Sequence, residues 1–135
     1  MSTNSTIAVL NTNGTVTQIY CHWDGYLEYN GRMLVENYAT LELATKLVSK
    51  GDLSSLGTTV GRKHEFGTKV DCCTYYGRDR GEKGVNAKKF KSVADFEAKG
   101  RSEEYNYLLI DGIWYYKNYN RTTYTAVTDD MKIAA

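Results

Sequence analysis

The chain has 135 residues, 41% of them hydrophobic and 24% charged, which suits one domain with a core of its own. A formal net charge of +1 excludes a strong global pull toward nucleic acid or an anionic membrane, and no apolar run approaches the ~18 residues of a membrane span. Three cysteines, with no basic and apolar leader at the N-terminus, exclude a disulfide framework and point to a reducing cytoplasm.

Ile7–Leu10 and Thr15–Cys21 are β-prone runs around Asn11-Thr12-Asn13-Gly14, and the Asn-Gly pair predicts an opening hairpin. Along its second strand Val16, Gln18, Tyr20 and His22 alternate with Ile19, Cys21 and Trp23. The latter set reads as core, with Trp23 as an anchor, which leaves Tyr20 and His22 outward. Turns at Gly25 and Gly31 lead to a helical stretch over 32–38. Thr40 then caps a helix with Leu41, Ala44, Leu47 and Val48 on one stripe, ended by Gly51.

Residues 52–57 read as a loop held by Leu53 and Leu56. Val70–Tyr76 reads as a strand, and residues 77–91 as a glycine-punctuated basic loop. Ser92 opens a short helix through Lys99, closed by Gly100, with Val93, Phe96 and Phe90 facing inward. Tyr105–Ile110 and Ile113–Tyr119 flank Asp111-Gly112, a second hairpin signal; residues 122–127 are β-prone. The expected fold is a single α+β domain over 1–135. It has an antiparallel sheet of about five strands, one or two helices packed on one face, and frayed ends at 1–5 and 128–135.

Twelve tyrosines and no proline set the chain apart. Tyrosine favours strands and carries a polar tip, so the excess either lines a sheet or forms a recognition surface. Trp114 and Tyr116 share one face of the closing hairpin, and Ile113 and Tyr115 the other. One face is core; the other is a platform for a partner or a stacked base.

Four groups of residues carry possible chemistry. His22 with Asp24 is an imidazole near a carboxylate, fit for proton transfer or simply for a backbone hydrogen bond beside an Asp-Gly turn. Arg78 and Arg80 flank Asp79 before Glu82, a loop that either presents guanidinium forks to phosphate or closes an internal ion-pair network. Residues 62–91 carry Arg62, Lys63, Lys69, Arg78, Arg80, Lys83, Lys88, Lys89 and Lys91 against Glu65, Asp71, Asp79 and Glu82, a solvated basic segment or an anion-facing patch. Cys21, Cys72, Cys73, His22 and His64 lack metal-ligand spacing, so no metal and no cofactor are expected.

Three segments, Ile19–Tyr26 with Gly31–Leu34 and Tyr38, Cys73–Glu82, and Tyr107–Tyr115, resemble a family of small proteins encoded by tailed bacteriophages and prophages. The resemblance spans nearly the whole chain and implies a place in the host bacterial cytoplasm, but it implies no catalytic residue. It points to an accessory protein that binds and inhibits a host protein or complex, foremost an antiviral-defence component, as an anti-CRISPR protein does. The expected contact residues are Tyr20, His22, Asp24, Tyr26, Arg78, Arg80 and Glu82, brought together at one end of the sheet. The alternative is a protein that sequesters or acts on a nucleotide through His22, Asp24, Arg78 and Arg80. Direct nucleic-acid binding through 62–91 is the weakest expectation.

Overall fold

The structure is a computed structural model and describes residues 2–130. One sheet runs through it, built on four long strands: β1 (Ser5–Leu10), β2 (Val16–Cys21), β6 (Tyr105–Ile110) and β7 (Ile113–Asn118). Four short strands complete it: β3 (Leu53–Ser55), β4 (Thr74–Tyr75), β5 (Lys88–Phe90) and β8 (Thr125–Ala126). Five short helices join them: α1 (Arg32–Asn37), α2 (Leu41–Ser49), α3 (Tyr76–Arg80), α4 (Val93–Lys99) and α5 (Val127–Asp130). A π-helical turn over Leu27–Gly31 leads into α1.

The single α+β domain is as expected, but the sheet differs in two respects. It has eight strands, and it is mixed: β1 pairs parallel with β6, and β2 pairs parallel with β3. The strand order is β4-β3-β2-β1-β6-β7-β8, with β5 also on β2. The additional strands are two or three residues long, too short for alternation to show in sequence.

Both glycine turns form the expected hairpins. Asp111 and Gly112 adopt φ of +48° and +80°, the twist that a tight hairpin between Ile110 and Ile113 requires. Thr40 and Ser92 cap α2 and α4 by accepting the N–H groups of Leu43 (3.2 Å) and Asp95 (3.0 Å).

Alternation sorts the long strands into two faces. Ile7, Val9, Ile19, Cys21, Tyr107, Leu109, Trp114 and Tyr116 point to the main core, closed by Leu34 of α1 and by Ala44, Leu47 and Val48 of α2. Ala8, Val16 and Leu108 point the other way, where Phe96 of α4 covers them beside Phe90. The helices therefore lie on both faces, not one, and Val93 stays partly exposed.

The tyrosine excess is largely structural. Tyr38, Tyr75 and Tyr107 are buried, and each donates its hydroxyl to a distant backbone carbonyl: Gly57, Leu47 and Gly25, all at 2.6 Å. Trp114 donates likewise to the carbonyl of Tyr38 at 2.9 Å. Each ring fills the core while its polar tip satisfies a carbonyl in a loop or at a helix end that burial would otherwise leave unpaired. Of the ends expected to fray, Ser5 is buried in β1 and residues 128–130 belong to α5; residues 1 and 131–135 lie outside the described part.

Candidate functional site

β2 ends at Cys21, and the chain then runs alongside β3: His22 N–H donates to Leu53 O (3.1 Å) and Trp23 N–H to Ser54 O (3.0 Å). Asp24 adopts φ +57°, and Gly25 packs so close to the N-terminal strand that an added Cβ would lie 2.7 Å from Ser5 Cβ. Gly25 donates to Thr3 O (2.8 Å) and accepts from Tyr107. Buried Asn30 donates to Trp23 O (3.2 Å), and its own N–H reaches Asp24 O (3.2 Å). The backbone of 22–25 is thus clamped by four separate segments.

This clamping turns Trp23 outward. The expected core anchor is 45% exposed, because β2 ends at Cys21 and the chain enters the left-handed turn at Asp24 directly after Trp23. Tyr26 and Tyr29, with ring centroids 6.5 Å apart, are also exposed. His22 meets the Trp23 ring edge-on at 4.7 Å and shares a 2.8 Å hydrogen bond between its Nδ1 and the Tyr20 hydroxyl. Tyr20 and His22 do lean outward as expected, both half-buried. The imidazole is oriented by Tyr20, and the Asp24 carboxylate makes no hydrogen bond to it.

The second expected group folds differently. Only Thr74–Tyr75 of the predicted 70–76 strand is a strand, and the supposed loop continues as α3. The cause is Asp79. Its buried carboxylate accepts the backbone N–H groups of Tyr75 (2.8 Å) and His64 (3.0 Å) and the guanidinium of Arg78 (2.9 and 3.1 Å). Burial alone would raise this carboxyl, but the Arg78 fork and the two amides outweigh it and hold Asp79 below the usual carboxylate range. Arg78 also donates to Val60 O and Cys73 O, so it is engaged throughout. Arg80 lies against the stacked rings of Phe66 (4.6 Å) and Tyr76 (4.7 Å) and pairs with Glu82.

The two groups do not converge on one surface. Because β4 is antiparallel to β3, α3 departs toward Asp52, whereas Trp23 passes Ser54 in the opposite direction. Tyr20 alone of the first group lies on the Asp52 side. The arrangement required for nucleotide chemistry by His22, Asp24, Arg78 and Arg80 is not assembled, since both arginines are bound to carboxylates of the chain itself.

Asp52 carries no motif and was not anticipated. β5 and β3 share one edge of β2, pairing with Val16–Gln18 and with Cys21, which leaves a gap at Ile19 and Tyr20. Asp52 fills it: its Oδ1 accepts the Tyr20 N–H (2.9 Å), and its backbone joins Val85 O (2.9 Å) and Tyr76 N–H (3.2 Å). Burial pushes the Asp52 carboxyl above its ordinary value.

Free thiols at Cys21 and Cys73 are buried, and burial raises Cys21 to about 12, which suits packing rather than nucleophilic attack. Among the described residues no cluster of His, Cys, Asp and Glu could hold a metal ion, and no helix is long and apolar enough to cross a membrane. No protein-family model, curated protein or solved structure matches this chain.

Proposed function

We propose that this is a protein-binding module that docks a partner protein through the rim formed by His22, Trp23, Tyr26 and Tyr29. The observation that carries it is the exposed Trp23 ring on a backbone clamped from several sides. An aromatic side chain held in place before binding loses little conformational freedom on docking, and Trp and Tyr dominate the energetics of such contacts. Tyr20 and Asp24 support the rim from below, one through the His22 imidazole and the other through its left-handed turn.

The partner best suited to this reading is a host protein or complex in a bacterial cytoplasm, with a component of antiviral defence first among them. The resemblance of residues 19–26, 31–34 and 38, 73–82 and 107–115 to small tailed-phage proteins supports that choice. The activity is inhibition by occupancy rather than turnover.

The test is capture from bacterial lysate with the intact chain and with Trp23→Ala and Tyr26→Ala variants. Both variants are expected to keep the parent melting temperature within about 0.5 kcal/mol of stability, as exposed substitutions do. A partner retained by the parent and lost at least tenfold by W23A supports the rim. A partner held equally by all three proteins rejects it.

A further inference from the structure

The gap in the β2 edge opens into a cleft of about 280 Å³ lined by Tyr20, Asp52, Lys88, Lys89, Lys99 and Arg101. None of these belongs to the docking rim, which Tyr20 only supports through His22. Lys88, Lys99 and Arg101 line it with one carboxylate, that of Asp52, although the chain as a whole is close to neutral, while Lys89, opposite Thr17, leaves the sheet on the other face.

The cations are built into place. Gln18, buried in β2, fixes the backbone of Arg101 at both its N–H (3.0 Å) and its carbonyl (2.9 Å). The guanidinium therefore lies 4.0 Å over the Tyr20 ring, while Glu103 takes its Nε at 2.7 Å. Both terminal nitrogens of Arg101 lack a hydrogen-bond acceptor among the described residues. Lys88 stands directly opposite Gln18 across the β2–β5 ladder, so its side chain leaves the sheet on the same face as Gln18 and Tyr20. Asp95 pairs with Lys99 (3.1 Å), whereas Lys88 and Lys89 form no ion pair among the described residues. At the floor Asp52 accepts the Tyr20 N–H at Oδ1, and its Oδ2 has no hydrogen-bond partner among the described residues.

We propose that this cleft binds a small phosphate ester carrying hydroxyl groups, a sugar phosphate or mononucleotide. The phosphate sits between Lys88 and Arg101, and a hydroxyl donates to the free oxygen of Asp52. An arginine fork beside a lysine suits a phosphate dianion. A bare inorganic anion would meet Asp52 as a repelling charge, whereas an ester with a hydroxyl donor uses it as an acceptor. The volume admits one such molecule and is small for a dinucleotide. This site stands independently of the docking rim: it can be occupied whether or not a protein partner exists.

Calorimetric titration and thermal shift at low salt test it, with ribose 5-phosphate, adenosine monophosphate, adenosine and inorganic phosphate as probes. Both esters are expected to bind one per chain and to raise Tm by about 5 °C at saturation. Adenosine and inorganic phosphate are expected to bind at least tenfold more weakly. Lys88→Gln and Arg101→Gln should each weaken the esters at least tenfold, with Lys63→Gln as an unaffected control. Asp52→Asn should strengthen inorganic phosphate and erase the esters' advantage over it. The proposal is overturned if no ester binds, if Lys88→Gln leaves binding unchanged, or if inorganic phosphate binds as tightly as the esters. It is also overturned if a single-stranded oligonucleotide binds far more tightly with steep salt dependence, which would mark a polymer backbone site.

Discussion

The side-chain amide of Gln18 meets both the N–H and the carbonyl of Arg101, 83 positions away, so that a buried strand residue takes the place of a neighbouring strand's backbone. Gln18→Ala removes both bonds and leaves two backbone groups without partners. A loss of about 2 kcal/mol is expected in denaturant unfolding. Arg101 should also leave the Tyr20 ring, which a change in tyrosine fluorescence would report. Unchanged stability would show that water replaces the amide.

Asp79 organises four donors from a fully buried carboxylate. Asp79→Ala leaves Arg78 without its carboxylate partner and frees two amides, at an expected cost of about 3 kcal/mol. The pH dependence follows from a folded value held below the unfolded one. The stabilisation is complete above the unfolded carboxyl value of ~3.9 and disappears as pH falls through the lower folded value. The gap between parent and variant should therefore narrow as pH falls below ~4; a constant gap would contradict the ionic account.

Tyr107→Phe keeps the ring and deletes the bond to Gly25 O, leaving that carbonyl unpaired under the 22–25 turn. The expected cost is about 1–2 kcal/mol, against almost none for Tyr119→Phe, whose ring is 73% exposed. Equal melting temperatures for the two variants would show that the hydroxyl is dispensable.

Asp52 titrates in the opposite sense. Burial raises its carboxyl, so the ionised form is disfavoured in the folded state and the penalty is fully present above the folded value. Asp52→Asn keeps an oxygen for the Tyr20 N–H and removes the charge. The variant should melt at or above the parent at pH 7, with the difference shrinking as pH falls toward 4. A variant that melts several degrees lower at pH 7 would mean that attraction to Lys88 and Arg101 outweighs burial.

What could be read from the sequence and what could not divide along a physical line. Asn13-Gly14, Asp111-Gly112, Thr40 and Ser92 act within a few residues of themselves, and each formed the turn or cap it signals. β3 offers only Leu-Ser-Ser and joins β2 through a single residue pair, so its pairing is a tertiary fact. Alternation misplaces Trp23 because it does not hold beyond Cys21, where β2 ends. Arg78 and Arg80, expected among the contact residues, take the internal pairing that their spacing equally allows, whereas Asp52 acts on a strand 32 positions away and leaves no local trace.

The short outer strands have a further consequence. The sheet tapers to two residues at β4 and two at β8, and β5 adds only three beside β2. Such stubs present almost no open ladder of N–H and C=O groups for another chain to extend, which guards against edge-to-edge aggregation. They also narrow the ways in which this molecule can be recognised. A visitor cannot join as a ninth strand; it must be held by side chains.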